Sequence, residues 1–83
     1  MNRTKIASNC YVGTSLNGVT VLFSYDTPVA CSHPVHGLMR TERQWSRTTA
    51  RHICQWLAQN MADNRSCEVQ TMPQEYFDAL IAS

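Results

Sequence analysis

The chain has 83 residues, 43% of them hydrophobic and 16% charged, and a formal net charge of +1. That length supports a single domain over residues 1–83 with one core, and the hydrophobic content favours folding over disorder. So small a net charge excludes a field able to hold a polyanion or an anionic membrane without local clustering.

The first half reads as strands. "KIASNCYV" (5–12) leads into "GTSLNG", where Asn17-Gly18 is a tight-turn signal, and "VTVLFSY" (19–25) resumes as a β-branched and aromatic run. The two runs are expected to form a hairpin. Within the second, Val19, Val21, Phe23 and Tyr25 alternate onto one face, with Thr20, Leu22 and Ser24 on the other. The partly polar second face suggests a sheet open to water on one side. "DTP" breaks the pattern, because Pro28 cannot donate to a ladder and pushes Thr27 toward an extended backbone. "VACSH" (29–33), the turn "PVHG" and "LMRTE" (38–42) complete a meander of about four strands.

Helical spacing begins after Trp45. Ser46 or Thr48 can cap the new helix through its hydroxyl. Ala50, Ile53, Leu57 and Met61 recur on one side of it, with Trp56 beside them, while Arg47, Arg51, Gln55 and Gln59 form an outward row. "DNRS" (63–66) ends this helix, and "CEVQT" (67–71) reads as a fifth strand or an extended connector. In "TMPQEYFDALI", Thr71 as cap, Gln74 three residues on and Pro73 in the first turn together start a second helix. The order is that of an α+β domain: a small antiparallel sheet of about four to five strands with two helices packed on one face.

Chemistry-bearing clusters are sparse. Cys31, His33 and His36 lie close together, as do His52 and Cys54, but no pair has the bracketed spacing of a zinc site. On a helix His52 and Cys54 diverge by about 200°. No metal and no cofactor are expected. No nucleophile elbow, paired carboxylates or phosphate-cradling glycine loop is visible, so no catalytic residues are expected and a non-enzymatic role is favoured. No apolar run is long enough to span a bilayer, and "MNRTKIASNC" lacks a signal-peptide core, so a cytosolic chain with free thiols at Cys10, Cys31, Cys54 and Cys67 is expected.

Arg40, Arg43, Arg47 and Arg51 are the densest charge in the chain, with Trp45 among them. Arginine offers a planar fork for carboxylate or phosphate and stacks on aromatics. These five residues are the candidate partner-binding site, and a solvated helix face is the competing reading. Trp56 is expected in the core; Trp45 is placed as a staple ahead of the helix.

At "SYDTPVA" (24–30), "RTERQWSRTTARHICQWL" (40–57) and "TMPQEYFDALI" (71–81) the chain resembles a group of short phage and prophage proteins without assigned activity. That group carries Ser-Tyr-x-Thr-Pro-Val-Ala, Ser-x-Thr-Thr-x-x-His-Ile-x-x-Trp-Leu and a terminal Pro-Gln-Glu. The middle motif reads here as Ser46, Thr48, Thr49, His52, Ile53, Trp56 and Leu57 without a gap. The chain departs from the group at "CSHPVHG", where many members have a Gly- or Tyr-containing turn. The resemblance implies a small accessory phage product in the bacterial cytoplasm, acting by binding. It points to an inhibitor of a host defence complex, in the manner of anti-CRISPR proteins docking on a CRISPR-Cas effector. A nucleic-acid-binding phage regulator using the strip from Arg40 to Arg51 is the alternative, and no membrane partner is implied. Mimicry of DNA is disfavoured by the net charge of +1.

Overall fold

The computed structural model describes residues 3–15, 18–63 and 69–82. Its elements in chain order are β1 (Arg3–Ala7), β2 (Cys10–Thr14), β3 (Thr20–Ser24), β4 (Thr27–His33), β5 (Gly37–Thr41), α1 (Arg47–Asp63), β6 (Gln70–Met72) and α2 (Gln74–Ala82). The strands form one six-stranded sheet in the order β1-β2-β3-β4-β5-β6. The fold is α+β, as the sequence indicates, with a larger and mixed sheet. Five strands make an antiparallel meander, and β6 lies parallel to β5. Parallel neighbours need a crossover, and α1 supplies it.

The extra strand arises at the start. The run expected as one strand over 5–12 is folded back at Ser8 and Asn9, so that Ala7 pairs with Cys10. Asn9 takes φ 56°, a left-handed conformation that asparagine tolerates better than most residues. The expected hairpin survives as β2 with β3, with Cys10 opposite Ser24 and Thr14 opposite Thr20. Gly18 has φ 83° in its connection, as its turn signal predicts; Asn17 lies outside the described residues. Pro28 does not end a strand. It sits buried inside β4 opposite Phe23, next to a register shift that leaves Val29 as the extra residue of a bulge. A bulge is one of the places where a sheet accepts proline.

The helices lie on opposite faces of the sheet, which corrects the expectation of one face. Ile53, Trp56 and Leu57 of α1 pack with Cys10, Leu22, Val29, Ala30 and Leu38. Phe77 of α2 packs with Val19, Val21, Phe23, Cys31 and Met39. Leu22 alternates with Val21 and Phe23, Ala30 with Cys31, and Leu38 with Met39, so the two sets occupy the two sides of the same strands. Leu22 is therefore as buried as its neighbours, and Ser24 is buried too. The physical reason lies in the sequence: "VLF", "PVAC" and "LM" are unbroken apolar runs, the pattern of strands covered on both faces. Tyr25 leaves the expected face altogether. It occupies the β3–β4 turn with φ 57° and is exposed.

A six-stranded sheet is about 24 Å wide, and a helix covers about 10 Å of it. One helix per face leaves margins bare. All of β1 is exposed, and one strand in from the opposite edge Arg40 is half-buried on the α1 face, between Ala30 and Thr71 in register. Among the described residues no helix is long and apolar enough to cross a membrane.

Candidate partner-binding surface

The rotation of α1 is set from its first turn. Ser46 is the cap: its Oγ accepts the Thr49 N–H at 3.3 Å, and its carbonyl accepts the Ala50 N–H at 3.0 Å. A hydroxyl chain then runs into the core. Ser46 Oγ donates to Thr49 Oγ1 at 3.4 Å, Thr49 Oγ1 lies 2.8 Å from Ser24 Oγ, and Ser24 Oγ lies 3.0 Å from His52 Nδ1. Two proton orders satisfy all three contacts: Thr49 donates to Ser24 and Ser24 to His52, or His52 Nδ1–H donates to Ser24 and Ser24 to Thr49. Ser24, Thr49 and His52 are 2%, 5% and 7% exposed. The chain thus keys α1 to β3 and turns Thr49, His52, Ile53 and Trp56 inward.

Arg47 and Arg51 then stand about 160° from Thr49 on the helix wheel, and both are exposed as expected. Ala50 lies about 100° from Thr49, too far round to reach the sheet. It is exposed, correcting its place in the apolar row. The Met61 side chain lies outside what is described.

A second buried network works on the other face. Gln74 Nε2 donates to the Pro28 carbonyl at 2.7 Å and to Asp78 Oδ1 at 3.2 Å, while its Oε1 accepts from Thr41 Oγ1 at 2.8 Å. The Thr41 hydroxyl in turn accepts the Arg43 N–H at 3.2 Å, and the Glu42 N–H donates to the Met72 carbonyl at 2.9 Å. Gln74 is therefore a clamp between α2, β4 and β5, not a capping-box partner. Thr71 lies in β6, exposed, and does not cap α2, which begins only at Gln74. No described buried side-chain N or O atom lacks a hydrogen-bond partner.

These two networks hold the segment 42–47 between them, and the predicted site residues gather there. Arg40, Arg43, Trp45 and Arg47 line one hollow of ≈ 290 Å³ with Ala50 and Ile53. The Arg43 guanidinium lies 5.4 Å from the Trp45 ring centroid, a cation–π pairing, and Trp45 is 38% exposed. Arg51 points outward from α1 and does not line the hollow, so the structure brings together four of the five candidates. Among the described residues none of Arg40, Arg43, Arg47 and Arg51 is ion-paired; the ion pair there is Arg3 with Asp26, at 3.3 Å. A neighbouring hollow of ≈ 360 Å³ is lined by Glu42, Arg43, Gln74 and Glu75. The sequence shows Glu42 beside Arg43, where it favours the solvated-face reading, but not that Glu75 joins it.

The thiol and imidazole candidates do not converge. The His33 and His36 rings lie 4.4 Å apart at the β4–β5 turn, where His33 Nδ1 accepts the Val35 and His36 N–H groups. His52 belongs to the α1 network, Cys31 is buried on the α2 face, and Cys54 is exposed. Cys10, Cys31 and Cys54 are free thiols, and Cys67 lies outside the described residues. Burial raises the Cys31 thiol from 9.0 to about 11. Among the described residues no three His, Cys, Asp or Glu side chains form a metal-binding group.

A family model described as "Family of unknown function (DUF8033)" matches residues 1–76. The chain belongs to that family. The matched span takes in both hollows and every member of the two buried networks except Asp78. No curated protein and no solved structure matches the chain.

Proposed function

We propose that this chain is a non-enzymatic binding module that docks on a protein partner through Arg40, Arg43, Trp45 and Arg47, with Arg51 at the margin of the contact. The observation that carries the reading is the convergence of three arginines, unpaired among the described residues, and a half-exposed tryptophan on one hollow. Arginine and tryptophan are the residue types that most often anchor protein interfaces. The buried Ser24–His52 pair supports the same reading, since its atoms are engaged in fastening α1 and neither hollow includes them.

The adjoining Glu42 and Glu75 favour a protein surface bearing both signs of charge over a polyanion, so the nucleic-acid alternative ranks second. The phage resemblance makes a host defence complex, such as a CRISPR-Cas effector, the first partner to test. Capture from host lysate is expected with the native chain and is expected to be lost in Arg43→Ala/Arg47→Ala. That double variant should melt as the native chain does, because surface changes of this kind cost about 0.5 kcal/mol or less. Arg51→Ala should weaken capture only slightly. Retained capture by the double variant would remove the hollow from the contact. Tight binding of an oligonucleotide that falls steeply with salt would favour the alternative.

A further inference from the structure

The basic hollow and the acidic hollow share a side chain. Arg43 lines both, with Arg40 and Arg47 on one side of it and Glu42 and Glu75 on the other. The hollows are of similar size, ≈ 290 Å³ and ≈ 360 Å³, and their charges are opposite. A two-fold contact requires a surface that complements itself, such that residue i meets j while j meets i. Two adjoining patches of opposite charge with a common border residue meet that requirement. A rotation axis near Arg43 sets each copy's Arg40 and Arg47 against the other's Glu42 and Glu75.

We infer that a second copy of this chain occupies the site in the free protein, docked two-fold about Arg43, so that self-association masks the surface on which the partner binds. This rests on the reading of the hollow as a protein-docking surface and adds its resident occupant. Several observations favour the second copy over other covers. The arginines have no acidic neighbour paired with them among the described residues, yet the acids that would pair with them lie one hollow away. A polyanion would be attracted by one hollow and repelled by the other. A stable dimer needs about 800 Å² from each copy. That is about a seventh of the 5486 Å² the chain exposes, so the contact must extend beyond the two hollows and segment 42–47 at its centre. Trp45, half-exposed over Arg43, provides the aromatic anchor that such an interface needs at its middle.

A charge exchange tests the pairing. Sedimentation equilibrium of the full chain should show a dimer at about 0.1 M salt. It should weaken at about 1 M, where the screening length has fallen from about 10 Å to about 3 Å. Arg47→Glu and Glu75→Arg should each weaken self-association about a hundredfold, since each sets like charges together. Mixed in equal amounts, the two variants should regain native affinity as a heterodimer. One of its two symmetry-related contacts then joins the introduced carboxylate of the first variant to the introduced guanidinium of the second. The other keeps Arg47 of one copy against Glu75 of its partner. A native chain that is monomeric at the lower salt overturns the inference. So does a mixture that stays monomeric while both variants keep the native circular dichroism, or a dimer untouched by either reversal. The outcomes separate the two proposals. A monomer whose partner capture depends on Arg43 and Arg47 removes the dimer and leaves the docking surface. A dimer restored by charge exchange, with partner capture indifferent to those arginines, does the reverse.

Discussion

The two faces of the sheet are held by different means. On one side α1, with 17 residues, is capped by Ser46, keyed by the Thr49–Ser24–His52 chain and anchored by Ile53, Trp56 and Leu57. On the other α2, with nine residues, depends on the fully buried Phe77, flanked by Tyr76 and Leu80, and on the Gln74 clamp at its first turn. A helix of that length is not stable alone in water, so its tertiary contacts must hold it. The lesson is that a long helix can present a surface while also serving as core, because several anchors share the work. The short helix is fixed at fewer points, and it carries Glu75 beside the segment whose shape the site needs.

The largest expected effect breaks this comparison at its weakest anchor. Phe77→Ala should cost about 3–5 kcal/mol, and Ile53→Ala or Leu57→Ala about 2–5 kcal/mol. Either loss is large against a total stability of about 5–15 kcal/mol. The distinguishing readout is native-state hydrogen exchange. Phe77→Ala should release the amides of α2 while those of α1 stay protected, because neither Ile53, Trp56 nor Leu57 touches the Phe77 cluster. Simultaneous release of both helices would mean that the two faces form one cooperative unit.

A smaller effect separates the faces by pH. Cys31 lies wholly buried on the α2 face, and burial lifts its thiol to about 11 from an ordinary 9.0. On the α1 face burial raises Cys10 too. The neutral thiol is the form the fold prefers. Its contribution is therefore complete below pH 9, where thiols are protonated folded or unfolded, and is lost as pH rises toward 11. A rise of that size corresponds to about 3 kcal/mol. Tyr76, raised by burial and secondarily by a charge on Cys31, adds to the loss on the same face. Urea unfolding followed from neutral pH to pH 11 should show stability falling above pH 9, and Cys31→Ala should flatten the decline at the cost of a lower starting value. An undiminished decline in Cys31→Ala would move the effect elsewhere.

Much of the scaffold could be read from the chain. β3 to β5, both helices and the inward set Ile53, Trp56 and Leu57 follow from periodicity, and Ser46 is one of two caps that its chemistry allows. Three of the failures share a cause, since each depends on contacts distant in sequence. Leu22 looks like an outer-face residue until α1 returns to cover it. Gln74 looks like half of a capping box until β4 and β5 bring Pro28 and Thr41 within reach. Ser24, Thr49 and His52 lie in separate motifs and show no joint purpose before the helix is docked. For the site, the Arg/Trp cluster was visible because it is local. Of its acidic counterpart Glu42 is local too, but Glu75 reaches Glu42 only through the parallel pairing of β6 with β5.

The smallest effects lie in the two polar networks, and they decide which of them serves the site. Thr41→Val removes the hydroxyl that donates to Gln74 and accepts the Arg43 N–H. Ser24→Ala removes the link between Thr49 and His52. Each deletion leaves buried polar atoms with fewer partners and should cost about 1–3 kcal/mol. Thr49 keeps its bond to Ser46, while the buried His52 Nδ1 loses its contact with Ser24. Stability alone will not distinguish the networks, but binding should. Thr41 holds the backbone of Arg43, the residue common to both hollows, so Thr41→Val should weaken partner capture even where the protein is fully folded. Ser24→Ala acts from beneath α1, where Ile53, Trp56 and Leu57 still orient the helix, so Arg47 should keep its place and capture should stay near native. Measured side by side at a temperature well below either melting point, equal losses of capture would show that α1 needs its hydroxyl chain to aim Arg47. The division of labour between the faces would then be wrong.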